Sequence, residues 1–399
     1  MQFDMVFEGG GAKGIVFIGA LQKFVEAGHE WGRLMGTSAG AITAALLATG
    51  YSPADLDAIM QETVDGKPVM LTFMDTPRTF GEATIEQSLM RTWLREEDNP
   101  FLPNRLEERM DDWIADSLLR SSTFRHIFSL VERGGWFAAD SFEDWLTNKL
   151  NHAPGHGGAP DYGTMTLAEF YAATERHLSL VAADTTAGRL LVLNHKTAPN
   201  CPLVMAVRMS MSIPLLWQEV VWQAEWGPYM GRDLTDDTIV DGGVLSSFPI
   251  ELFIARGWER WMDEQAGGRI LGLLIDEQLE VPGQPARQNS GALDSALGYW
   301  RTGRRLLNLI NTMMQARDKE VIEANRELVV SLPARGYDTV EFAMTDARRT
   351  DLIAAGAAAM QAYLTELGPE PAMLPQPAAD DATRITTAEA SAERILGGW

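Results

Sequence analysis

Three short stretches hold residues whose types and spacing could do chemistry together. In Gly36-Thr37-Ser38-Ala39-Gly40 a serine stands between small residues with the G-x-S-x-G spacing of a nucleophile elbow. A serine hydroxyl is inert at neutral pH, so it needs a group to take its proton and donors to hold the resulting oxyanion. The stretch "EGGGAKG" (8–14) offers such donors. Its glycines permit positive φ and close backbone approach, so successive N–H groups of Gly10, Gly11 and Ala12 can converge on one anion. A phosphate loop would need Gly-Lys-Ser/Thr, and here Lys13 follows Ala12 and precedes Gly14. The dinucleotide pattern G-x-G-x-x-G is formally met by Gly9, Gly11 and Gly14, a weak match without further support. Lys13 itself either fixes the loop or is solvated.

The third stretch is "VDGG" (240–243). Asp-Gly-Gly by itself reads as a β-turn. At the end of a predicted strand it also offers Asp241 as a general base for Ser38, with Gly242 and Gly243 allowing close approach. Histidine is the usual alternative. The six histidines are His29, His126, His152, His156, His177 and His195. None follows residue 195, so the chain order Ser, Asp, His of an α/β-hydrolase triad cannot be met. Asp233, Asp236 and Asp237 form an acidic loop nearby and read as solvated turn residues.

These stretches must be held by elements the pattern also supplies. "FDMVFEG" (3–9) reads as a buried strand entering a loop, and "GIVFIGALQKFVEAG" (14–28) as a helix stopped by Gly28. A short strand at 33–35 leads into Gly36, and "AGAITAALLATG" (39–50) follows as a helix stopped by Gly50. The alternation of strand and helix predicts an α/β fold with a mainly parallel sheet. Residues 70–170 read as a helical insertion, in which Leu106, Met110, Trp113 and Ile114 share one face that either packs on the core or caps toward lipid. The sheet resumes at 178–186 and 189–195, with a helix near 202–210 and strands at "EVVWQ", "TIVDGG" and "RILGLLID" (269–276). A helix beginning near Pro249, a helical stretch over 297–328 and an Ala-rich helix over 351–367 complete the elements, and the last thirty residues read as a partly ordered tail.

"GGGAKG", "GTSAG" and "DGG", in this order, resemble the patatin-like phospholipases, as do "LVAADTTAGRLLVLNH", "AVRMSMSIPLLWQEV", "DGGVLSSFPIELFIARG" and "GGWFAADSFEDWL". The resemblance covers roughly residues 3–276. It implies a three-layer α/β/α fold and a Ser38–Asp241 dyad without histidine. It further implies an oxyanion hole built from Gly9, Gly10, Gly11, Ala12, Lys13 and Gly14, with Gly36, Gly40, Gly242 and Gly243 as flanking glycines. Many members carry Arg where this chain has Lys13, which keeps the charge and loses the planar fork. The implied reaction is hydrolysis of a fatty-acyl ester through an acyl-enzyme, with no cofactor and no metal. A general esterase, thioesterase or acyltransferase on the same dyad is the alternative, and a silent lipid- or nucleotide-binding module is another. On this reading 1–280 is the catalytic domain, 281–368 a C-terminal helical extension packed on it, and 369–399 a flexible tail.

Composition agrees with a folded, soluble protein. The chain has 399 residues, 46% hydrophobic and 22% charged, enough for a sizeable core. A formal net charge of −22 argues against nucleic acid as a partner, leaving a lipid or other acyl-ester substrate and transient contact with a membrane surface. Cys201 is the single cysteine, so no intrachain disulfide staples the fold. No signal-peptide pattern or apolar run of spanning length is visible, which makes the cytoplasm the default expectation and leaves signal-less secretion open.

Overall fold

The structure is a computed structural model, and it describes residues 1–90, 92, 121–154, 161–255, 261–263, 269–283, 319–367 and 382–396. The chain opens with β1 (Gln2–Phe7), a 3-10 turn (Gly11–Ile15), α1 (Val16–Glu26), β2 (Glu30–Thr37) and α2 (Ala39–Ala48). Next comes α3 (Pro53–Met60), whose start is fixed by a capping box between Ser52 and Asp55 with proline in the first turn. The inserted region holds β3 (Thr63–Val64), β4 (Lys67–Pro68), α4 (Val69–Thr72), α5 (Glu82–Glu86), α6 (Ser122–Arg133), β5 (Gly135–Phe137), α7 (Asp140–Asn151) and α8 (Leu167–Thr174). The chain then continues through β6 (Leu178–Asp184), β7 (Arg189–Leu193), α9 (Leu203–Met211), β8 (Leu215–Trp217), β9 (Val220–Val221) and β10 (Thr238–Asp241). Last come α10 (Glu251–Ile254), β11 (Arg269–Glu280), α11 (Lys319–Ala324), β12 (Val329–Arg335), α12 (Asp346–Leu367) and α13 (Ala382–Leu396).

Eight strands form the central sheet in the order β12-β11-β1-β2-β6-β10-β9, with β7 paired to β6. The pairs from β12 through β6 are parallel, while β7, β10 and β9 join antiparallel. Side chains alternate across a strand. Phe3, Met5 and Phe7 of β1 accordingly enter one core with α1, α2, α9 and α12, whereas Val6 enters a second core with Phe253, Ala392 and Leu396. Leu34 and Met35 of β2, and Leu180 and Val181 of β6, divide in the same way. The fold is therefore α/β in three layers, with a mostly parallel sheet between two helical faces.

Three sequence expectations are revised. The region after residue 280 is not wholly helical, because β12 extends the sheet beyond β11. The last residues, expected as a tail, include α13, which buries Ala388, Ala392 and Leu396 at a spacing of four on one helix face. In the acidic loop Asp233 and Asp236 are exposed, but Asp237 pairs with Arg189 at 3.3 Å. The stripe at Leu106, Met110, Trp113 and Ile114, and most of the helix expected over 297–328, lie outside the described residues.

Candidate active site

The parallel strands β1 and β2 end side by side, Phe7 paired with Gly36, so the loops that follow them meet. Ser38 is the single residue between β2 and α2, with φ 54° and ψ −121°. Left-handed backbone at a non-glycine residue is strained and must be enforced by its surroundings. The flanking glycines permit it. A Cβ on Gly36 would stand 2.2 Å from the Gly40 carbonyl oxygen, and one on Gly40 would stand 2.3 Å from that of Phe7. The strand, turn and helix thus close on each other at backbone contact, as an elbow requires.

The elbow is further held by a residue the sequence did not single out. The Ser38 N–H donates to Ser210 Oγ at 3.0 Å, and the Ser210 hydroxyl donates to the Val181 carbonyl at 2.6 Å. Ser210 belongs to α9 and Val181 to β6, so one hydroxyl ties the turn to the neighbouring strand. A serine between the buried methionines Met209 and Met211 was the available signal.

Asp241 ends β10, which pairs antiparallel with β6. It is completely buried, and Ser38 is only 3% exposed. The Asp241 N–H donates to the Ser212 carbonyl at 2.9 Å, and Oδ1 accepts the Gly243 N–H at 2.8 Å. Oδ2 makes no hydrogen bond of normal geometry, although the Ser38 hydroxyl lies close enough to act on the carboxyl. Burial pushes the Asp241 pKa up to about 7, with the Ser38 hydroxyl and Gly243 N–H pulling it partly back. Behind it sits Arg208, fully buried, which donates to Ser212 Oγ, to the Ala138 carbonyl at 2.9 Å and to the Gln218 carbonyl at 2.9 Å. Burial lowers the Arg208 pKa, and Glu143 beside it offsets only part of that shift. Through these bonds the inserted region is fastened to the segment that holds Asp241.

The glycine loop is anchored donor by donor. Gly9 N–H donates to the Ser247 carbonyl at 2.9 Å, Ala12 N–H to the Thr339 carbonyl at 2.8 Å and Lys13 N–H to the Gly10 carbonyl at 3.2 Å. Ala12, expected as an anion donor, is therefore already engaged. The N–H groups of Gly10, Gly11 and Ala39 donate to no described residue. Lys13 is 5% exposed and pairs with Glu277 on β11, so its side chain fixes the loop and is not solvated. Gly14 lies against the start of α2, where a Cβ would stand 2.8 Å from that of Ala39. A Cβ on Gly242 would stand 2.5 Å from the Val181 carbonyl oxygen, which shows how closely the β10 turn approaches β6.

None of the described histidines takes part. His177 and His195 share Asp263 at 2.7 and 3.3 Å, His126 bonds the Trp136 carbonyl and His152 bonds the Asn148 carbonyl. His29 packs edge-on against Phe3, and His156 lies outside the described residues.

Beside Ser38 opens an apolar cleft of roughly 700 Å³, part of it open to solvent. Helix α2 lines it from Ala39 through Ile42 and Thr43 to Leu46, and Leu56, Met60, Met211, Trp217 and Phe342 complete much of the wall. The Thr43 hydroxyl is spent on the Ala39 carbonyl, at 3.0 Å, so the wall offers little to a polar ligand. The apolar lining suits a hydrocarbon group. Among the described residues no helix is long and apolar enough to cross a membrane.

Comparison with known proteins gives a family match over residues 5–254, to the model described as patatin-like phospholipase. The chain is 27% identical over 374 residues to the uncharacterized protein YqhO of Bacillus subtilis (strain 168), covering 92% of this chain and 99% of that protein. Among solved structures it is similar to VipD from Legionella pneumophila, at 18% identity and a TM-score of 0.43, covering 91% of this chain and 67% of that one. It is also similar to a chain in the complex of ExoU with SpcU from the type III secretion system of Pseudomonas aeruginosa. There the identity is 15% and the TM-score 0.38, and 91% of this chain spans 53% of the other.

Proposed function

We propose, for a chain that belongs to the patatin-like phospholipase family, that it is a serine lipid acyl hydrolase of phospholipase A type, with Ser38 as nucleophile and Asp241 as base. The family implies an esterase or lipase. What supports the finer reading is one juxtaposition: Ser38 on a left-handed elbow, with a fully buried carboxylate beside it and an apolar cleft at its side.

In this reading the fatty-acyl chain lies in the cleft and its ester carbonyl rests at Ser38. Ser38 Oγ bonds to the carbonyl carbon as Asp241 takes the hydroxyl proton. The carbonyl oxygen receives the displaced electron pair. The N–H groups of Gly10, Gly11 and Ala39 and the N-terminal end of α2 stabilise that charge. Collapse breaks the bond to the alcohol oxygen, which leaves with the proton held by Asp241, and an acyl-Ser38 remains. Water then attacks the acyl carbon while giving a proton to Asp241. Collapse of that second intermediate frees the acid, and the proton returns to Ser38 Oγ. A carboxylate with pKa near 7 is suited to both transfers, whereas one near its usual value of about 4 is a weak base.

The test is turnover of short-chain nitrophenyl esters and of phospholipid vesicles by wild type, Ser38→Ala and Asp241→Asn. Each variant is expected to lose about a thousandfold or more in kcat. A fluorophosphonate is expected to label wild type and leave Ser38→Ala unlabelled. Wild-type turnover in both variants would overturn the assignment.

A further inference from the structure

The glycine loop lies within the family match, but one of its anchors lies beyond it. The Thr339 carbonyl that accepts the Ala12 N–H belongs to a turn following β12, well after residue 254. The contact is tight. Gly11 has φ 55°, and a Cβ there would stand 2.2 Å from the Thr339 oxygen. Three residues on, Phe342 is packed against Trp217, with ring centroids 5.7 Å apart, and both line the cleft beside Ser38.

This turn is built around Arg348, which is 7% exposed. Its guanidinium forms a fork on Glu341, with Nε to Oε1 at 2.7 Å and Nη2 to Oε2 at 2.9 Å. Nη2 also donates to the Gly336 carbonyl at 2.8 Å, and the group sits 4.1 Å above the Tyr337 ring. The Tyr337 hydroxyl closes the ring of contacts by donating to the Arg348 carbonyl at 2.9 Å. One side chain thus holds both ends of the span that contains Thr339. Planar, bidentate and stacked contacts together are a task for arginine and not lysine.

A loop of consecutive glycines has few side chains to hold it and much backbone entropy to lose. Its donors stabilise developing charge only when they are held in place beforehand. We propose that the 336–342 turn, folded around Arg348, is a clamp on the glycine loop, and that Arg348 is a positioning residue for the reaction at Ser38. The catalytic unit then extends through residue 348, beyond the family match. The kinetic part rests on the hydrolase reading above; the structural part does not.

The experiment compares wild type with Arg348→Met, Arg348→Lys and Thr339→Gly, the last loosening the contact without touching the arginine. Turnover of a soluble nitrophenyl ester is measured with residue-resolved amide exchange in the same proteins. Arg348→Met and Thr339→Gly are expected to lose about tenfold to a hundredfold in kcat with KM little changed. Arg348→Lys falls between them and wild type. The Ala12 amide exchanges faster in all three while that of Gly9, held by Ser247, keeps its wild-type rate. Unchanged Ala12 exchange in the folded variants overturns the clamp, and so does a loss confined to KM. If wild type hydrolyses no ester, the hydrolase reading fails, and Ala12 exchange alone decides the clamp.

Discussion

At the residue scale the proposed reaction turns on one proton passed between Ser38 and Asp241. With the Asp241 pKa at about 7, the base is protonated and inactive in mildly acidic solution. kcat/KM is therefore expected to fall about tenfold per pH unit below 7 and to level off above it. The same shift bears on stability. A carboxyl whose folded pKa is raised binds its proton more tightly when folded than unfolded. Its cost is absent below about pH 4, grows between about 4 and 7, and is complete above 7. Asp241→Asn carries no such charge. It is expected to be inactive yet more stable than wild type at pH 8, by as much as roughly 4 kcal/mol at about 1.4 per pH unit, and no more stable at pH 4. Urea unfolding at the two pH values checks the sign. An equal or smaller stability of the variant at pH 8 contradicts the raised pKa. The two residue types and their order were legible in the sequence because glycines mark both turns. The burial that raises the aspartate's pKa was not, since it depends on β6 and α9 packing against β10.

At the element scale the tightest joint is between α1 and α12, which lie against each other at backbone distance. A Cβ on Gly356 would stand 2.1 Å from the Val16 carbonyl oxygen, and one on Gly19 would stand 1.8 Å from that of Ile353. Backbone atoms cannot rotate away as a side chain does, so Gly356→Val must push the helices apart. The expected cost is about 3 kcal/mol or more, read as a lower urea midpoint. A midpoint equal to wild type's means the helices are not packed this closely. Such joints also explain which elements the sequence disclosed. Strands β1, β6 and β11 carry mainly apolar runs that are buried on both faces over Phe3–Phe7, Leu178–Asp184 and Leu271–Ile275, and β-α-β-α punctuation by Gly28, Gly36 and Gly50 is local. Strand β12 escaped notice because it carries Pro333, which only an edge strand tolerates, and its edge position is a property of the sheet. Helix α13 buries a narrow stripe of two alanines and a leucine in a segment rich in Thr, Glu and Arg, too thin a signal to separate from a tail. The Thr339 contact leaves no trace at all, since a backbone carbonyl is the same in every residue.

At the scale of the whole molecule the sheet order decides what can be removed. Strand β11 pairs with β1 along Phe3–Phe7, the strand that delivers the glycine loop, and β12 covers the far side of β11. Glu8 at the end of β1 is tied to the same strand, its carboxylate accepting the Ile275 N–H at 2.5 Å. Both strands come after residue 254, where the family match ends. A fragment of residues 1–254 keeps Ser38 and Asp241 but strips one edge of β1 and removes β11, β12 and α12 from the apolar core that Phe3, Met5 and Phe7 share. An unpaired apolar edge recruits other chains. That fragment is expected to aggregate or to show no cooperative urea transition. A fragment of residues 1–367 retains β11, β12, the Arg348 turn and α12, and loses α13 from the face holding Phe253 and Leu252. It is expected to unfold cooperatively at a lower urea concentration than the full chain, while keeping ester turnover within a few fold. Far-UV circular dichroism across a urea series separates the two cases. A soluble, cooperatively folding 1–254 fragment with full turnover would mean that β1 needs no partner on that side, and that the strands after residue 254 are an accessory to the site and not part of its frame.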